Sequence, residues 1–155
     1  MNCLSIFLKD LQLVMNRAAR LITGISPCER ITPVLIDLHW LPIKARIEYK
    51  ISVMTHQALQ SGKPDYLWNL LETFHHDTTM ELRHDVDPYR LHQPRNNLDM
   101  GCRALARCAP RIYNKLPSDI KDCARIDIFK KKLKTYVFKE VYDFNGMEIK
   151  DNYRC

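Results

Sequence analysis

Two short stretches of this chain put imidazoles beside carboxylates: His75–His76–Asp77 and His84–Asp85–Val86–Asp87. Histidine changes charge near neutral pH, so such neighbours are raw material for a general base or a metal site if the fold converges them. Neither stretch lies in a segment with helical or strand periodicity, and water-facing loop residues explain them better. His39, next to Trp40, reads as a helix-end or core histidine. The six cysteines, at 3, 28, 102, 108, 123 and 155, include no pair at the two-residue spacing of a zinc knuckle or redox motif. Cys102 and Cys108 with His84 or His92 would make a weak zinc set; scattered reduced thiols are the better reading. There is no glycine-rich phosphate cradle and no nucleophile elbow. No active site, cofactor or metal is expected.

The basic residues are the stronger candidates. Residues 1–100 hold 11 Lys+Arg and 11 Asp+Glu, whereas residues 101–139 hold 11 basic and 3 acidic residues. The tail, 140–155, holds 2 basic and 4 acidic residues, so the net +6 conceals a surplus of +8 in the last third. Arg103, Arg107 and Arg111 repeat every four residues and line one helix face if that helix extends back to 103. With Lys115, Lys130, Lys131 and Lys134 they form the candidate phosphate contacts, since a phosphate backbone needs only positive charge within reach. A solvated, lysine-rich helix face explains the same charge equally well. Tyr113 and Tyr136 suit base stacking, but their helical spacing favours the core.

The elements that must position these residues are helices. Leu4, Leu8, Leu11, Met15, Ala18 and Ile22 recur at four and three, with Phe7, Val14 and Leu21 widening the stripe, and Gly24 closes the helix over 4–23. A stripe that wide requires cover from another surface. Thr32–Pro33 reads as a cap with proline at the first helical position, opening a short helix over 34–38 that stops before Pro42. A long helix follows over 43–61, with Ile43, Ile47, Ile51, Met54 and Ala58 inward, and Gly62 ends it. Pro64–Asp65 opens another, with Leu67, Trp68, Leu70 and Leu71 as core material. From 74 to 99 the pattern dissolves, leaving an irregular connection with room for one short strand near Tyr89–Gln93. Leu105, Ala109, Ile112, Tyr113 and Leu116 restore the helical period, with Pro110 disfavouring a helix through its own position. The last helix spans 126–142, with Ile126, Phe129, Leu133, Tyr136, Val137 and Val141 inward.

These readings give a mainly α fold: an N-terminal helical lobe over 4–73, the connection over 74–99, a basic helical lobe over 100–142 and a frayed tail over 143–155. The 155 residues, 46% hydrophobic and 27% charged, suffice for one real core and match ordinary globular usage. No apolar run reaches the ~20 residues of a membrane-spanning helix. The N-terminal apolar stretch meets Lys9 and Asp10 before any cleavage site, so no signal peptide is expected.

Several segments, in collinear order over about residues 9–140, resemble one family. They are LQLVMNRAARLITG (11–24), ITPVLIDLHWLPIKARIEYKISVMTHQALQSGKPDYLWNLL (31–71), LR at 82–83, GCRALARCAPRIYNKLPSDIK (101–121) and FKKKLKTYVF (129–138). The family is the segment after the polymerase core in reverse transcriptases of non-LTR (LINE-type, Jockey-like) retrotransposons. HWLP, APRIYNKLP and FKKKLKTYVF carry most of the specificity. The resemblance implies a segment that helps to hold template RNA or target DNA and does not carry the chemistry. Polymerisation needs palm carboxylates holding two magnesium ions, and this chain contains no adjacent Asp–Asp pair. A terminal zinc knuckle has no counterpart here, and residues 1–8 and 140–155 depart from the family pattern. An initiating Met close before the shared segment suggests a truncated element or a reading frame begun inside a longer one.

The expected function is therefore non-catalytic, sequence-tolerant binding of an RNA or DNA backbone, in the cytoplasm or nucleus and away from membranes. Two other readings stand beside it. One is a helical module that docks on a related polymerase core or on a second copy of the chain; the other is an element relic without autonomous activity.

Overall fold

The computed structural model describes residues 3–72, 90–93, 104–143 and 148–149. The fold is mainly α. Among the described residues the helices are α1 (Cys3–Thr23), α2 (Ile31–Asp37), α3 (Ile43–Ser61), α4 (Asp65–Glu72), α5 (Leu105–Tyr113), α6 (Ser118–Lys121) and α7 (Ile126–Val141). A two-residue antiparallel ladder pairs β1 (Tyr142–Asp143) with β2 (Glu148–Ile149), where the sequence showed no pattern and a frayed tail was expected. The connection expected over 74–99 falls largely outside the described residues. Within it, residues 90–93 form no strand; instead the backbone of Leu91 is held by a side chain, described below.

The helix ends follow local chemistry. Gly24 and Gly62 both adopt the left-handed conformation, at φ 70° and 64°, and their N–H groups close onto the carbonyls of Arg20 and Ala58 at 2.8 and 2.9 Å. Only glycine takes that backbone without a Cβ penalty. α2 differs from expectation: its N-cap is Arg30, without a side-chain cap, and Thr32 and Pro33 lie inside the first turn. Proline fits there because the first helical N–H groups have no intrahelical acceptor anyway. α5 runs through Pro110 rather than starting there. The ring removes one hydrogen bond to the preceding turn, and burial of Ala109, Pro110 and Tyr113 offsets that loss.

The chain forms two compact units, Met1–Tyr49 with Lys134–Cys155, and Lys50–Leu133. Their boundaries fall inside α3 and α7, so neither coincides with the lobes 4–73 and 100–142 expected from the sequence. The physical reason is that the first unit gathers the two ends of the chain around one interior, and the second takes the continuous stretch between them.

In the first unit, Met15, Ala19, Val34, Leu35, Leu41, Val137 and Val141 form the apolar interior. Gln12, itself buried, accepts from the backbone N–H of Ile43 through Oε1 (2.9 Å) and donates through Nε2 to Asn16 (2.9 Å). It thus satisfies one of the orphan donors at the start of α3. The hydroxyl of Tyr142 donates to the Trp40 carbonyl at 2.6 Å, and Arg46 lies 5.8 Å from the Trp40 ring.

In the second unit, Val53, Ala58, Leu67, Leu71, Ala109, Tyr113, Leu116, Phe129 and Leu133 are buried. The inward face of α3 is only partly the expected one. Ile47 and Met54 stay 42% and 36% exposed, while Ser52, Thr55 and His56 are buried. Small and hydrogen-bonding side chains let neighbouring backbone approach closely, which a purely apolar stripe does not reveal. Leu70, expected inward, is 39% exposed.

Candidate nucleic-acid interface

α5 and α7 display the candidate cations. α7 buries Phe129, Leu133, Val137 and Val141, a single stripe at the four-residue spacing of one helix face. Successive residues turn by about 100°, so three consecutive lysines cannot share a face with each other or with the buried stripe. Lys130 and Lys134 lie one turn apart on one flank, and Lys131 lies opposite the buried stripe; all three are exposed. Lys132 falls on the other flank, where its ammonium donates to the Asp119 carbonyl at 3.3 Å. On α5 the buried positions are Ala109, Pro110 and Tyr113, which places Arg107 and Arg111 on the opposite side. Arg111 and Lys115 are exposed and Arg107 is half-buried.

α5 starts at Leu105 with Ala104 as its N-cap, so the helix does not extend back to 103, and Arg103 lies outside the described residues. Of the remaining six candidates, Arg107, Arg111, Lys115, Lys130 and Lys131 belong to the unit Lys50–Leu133, and Lys134 to the other. Not all of the positive surplus is at the surface. Lys121 is 1% exposed, with its ammonium 5.7 Å from the Tyr113 ring.

Burial closes the first aromatic candidate to base stacking and partly covers the second. Tyr113 is 1% exposed and Tyr136 half-buried. Burial, together with the charge and a hydrogen bond of Glu140, pushes the Tyr136 hydroxyl above its ordinary range. Tyr142 is driven up further by burial, against the lowering effect of Arg46.

One buried constellation gave little sign of itself in the sequence. His56 of α3 is 1% exposed. Its ring stacks on Phe129 at 3.7 Å with an interplanar angle of 1°. Nε2 lies 2.9 Å from the Cys123 carbonyl and Nδ1 lies 3.0 Å from the Tyr113 hydroxyl. A carbonyl can only accept, so Nε2 carries the proton and Nδ1 accepts from the tyrosine. Burial lowers the imidazole's pKa, opposed by the bond to Cys123. With both nitrogens engaged and no exposed face, His56 ties three segments together and has no access to substrate. Nearby, Asn114 clamps Leu91: Oδ1 accepts from the Leu91 N–H at 2.9 Å and Nδ2 donates to its carbonyl at 2.7 Å. The amide thereby stands in for a neighbouring strand.

His39 is a helix-end residue. It follows α2 at φ 53°, a left-handed position that histidine tolerates better than most side chains, and its ring stacks 5.7 Å from Phe138. His75, His76, Asp77, His84, Asp85 and Asp87 lie outside the described residues. Cys123 is buried, Cys108 half-buried and Cys28 exposed, all as free thiols; burial raises the Cys108 thiol pKa, against Arg111. Among the described residues no group of three or more His, Cys, Asp or Glu could hold a metal ion, and no helix is long and apolar enough to cross a membrane.

No family model, curated protein or solved structure matches this chain.

Proposed function

We propose that this chain binds the phosphate backbone of RNA or DNA without catalysis and without base preference, as a post-polymerase segment of a LINE-type reverse transcriptase acting in the cytoplasm or nucleus. The observation that carries the reading is the exposure of Lys130, Lys131 and Lys134 along α7, with Arg111 exposed in the last turn of α5 and Lys115 exposed just after it. Each such cation can displace a condensed counterion from a nucleic acid, and that release is the main source of sequence-independent affinity. The likeness of HWLP, APRIYNKLP and FKKKLKTYVF to the retroelement segment supports the same assignment.

Charge reversal tests it. Lys130→Glu/Lys131→Glu/Lys134→Glu should weaken binding to a short single-stranded RNA and to duplex DNA by on the order of tenfold or more at low salt, and reduce the salt slope by about two to three. Arg107→Glu/Arg111→Glu should add to the loss. Unchanged affinity in both variants would remove these residues from the interface. A second reading, a docking module, is favoured by a separate observation: much of the apolar stripe of α1 faces solvent, with Leu21 87% exposed.

A further inference from the structure

α1 has two apolar sides. Gln12, Met15 and Ala19 are buried within their unit. Phe7, Leu11, Val14, Ala18 and Leu21 follow one another at four, three, four and three residues, and Phe7, Leu11, Val14 and Leu21 are 61%, 53%, 63% and 87% exposed. That alternation returns to the same face every 3.5 residues, which is the spacing of a coiled-coil seam rather than of a helix laid on a globular core. On an ideal helix this seam is centred about 120° from the buried side, so it is open to a second helix while the first packing is kept.

We propose that α1 pairs antiparallel with α1 of a second copy of this chain. It deepens the docking reading above and is independent of nucleic-acid binding. Three features select this occupant and this register. The first is area: Phe7, Leu11, Val14 and Leu21 expose somewhat under 500 Å² per copy, and complete cover of both copies would remove about 900 Å², close to the roughly 1,000 Å² at which specific interfaces begin. The second is shape. The antiparallel register that overlaps α1 nearly end to end sets Phe7 against the second copy's Ala18 and Leu11 against the second copy's Val14, a large side chain facing a small one and two of middle size together. The third is charge. Asp10 and Arg17, both exposed, flank the seam on the same side, and in this register each Asp10 faces the second copy's Arg17, twice by symmetry. Sliding by one heptad sets Arg17 against Arg17 or Asp10 against Asp10. Parallel pairing sets Asp10 beside Met15 and Arg17 beside Ile22, so no charge meets another.

Sedimentation of the purified chain across the micromolar range tests the pairing. The parent chain should pass from monomer to dimer, and Leu11→Glu should remain monomeric with unchanged helicity, because position 11 is exposed. Asp10→Arg alone and Arg17→Asp alone should each weaken dimerisation roughly tenfold, and the double exchange should restore it. A dimer indifferent to both single reversals would overturn the antiparallel register. A monomeric parent whose binding of a fluorescent hydrophobic dye is lost in Leu11→Glu would overturn the pairing but not the docking face. A monomer that binds no such dye would overturn both.

Discussion

At the scale of single residues, the most consequential side chain is a histidine sealed in the interior. His56 is held neutral between an acceptor and a donor, with Phe129 covering its face. Its folded pKa is lowered, so the unfolded chain binds the proton more readily. Stability is therefore fully present above the ordinary imidazole value near 6.5 and is lost as pH falls below it toward the folded value. Denaturant midpoints should drop between about pH 7.5 and pH 5.5. His56→Gln should be less stable at the higher pH, by about 1–3 kcal/mol for the unsatisfied partners, and should show a flatter pH profile. A parent profile as flat as the variant's would refute the neutral buried imidazole. Residues of the family-like motifs behave similarly. In APRIYNKLP, Ala109, Pro110, Tyr113 and Leu116 are buried and Asn114 clamps Leu91. In HWLP, Leu41 is 5% exposed and the Trp40 carbonyl receives the Tyr142 hydroxyl. Those motifs record how the chain packs as much as what it touches.

At the scale of elements, the helices were legible where a breaker and a periodicity agreed. α1 and α3 end where Gly24 and Gly62 supply a left-handed residue. A Cβ at Gly24 would meet nothing within 4 Å, so the cost of Gly24→Ala is conformational alone. It should lower stability by about 1–2 kcal/mol, measured by denaturant unfolding, with the helical content of the folded state retained. A neutral substitution would contradict the left-handed cap. Legibility failed where tertiary context overrode pattern. Pro110 argued against a continuous helix, yet α5 passes through it because both neighbouring turns gain burial. On α3 the apolar residues pointed to Ile47 and Met54, whereas the buried positions include Ser52, Thr55 and His56, whose partners come from Tyr113, Cys123 and the preceding turn. A sequence shows that such residues are polar; it does not show that an acceptor waits for them 57 or 67 positions away.

At the scale of the molecule, the charge asymmetry was the clearest signal and also the one needing most correction. The surplus of +8 over residues 101–139 counts Lys121, which is buried, and Lys132, which bonds a backbone carbonyl. The lysines left on α7 and the arginines of α5 are fewer, but they are sorted away from the buried stripes. Domain organisation was not legible in the same way. A composition shift near residue 100 suggested a boundary, but compact units are defined by which distant segments share an interior, and here each unit draws on both halves of the chain.

The proposed backbone binding is tested most directly by titrating the purified chain into fluorescently labelled single-stranded RNA and duplex DNA over a series of salt concentrations. Five or six cations at the surface should give micromolar affinity at low salt and a log–log slope of roughly −4 on the single strand, steeper on the duplex. Base composition should have little effect. Absence of binding at low salt, or binding with a flat salt dependence, would contradict a phosphate interface and reduce the lysines of α7 to a solvated helix face.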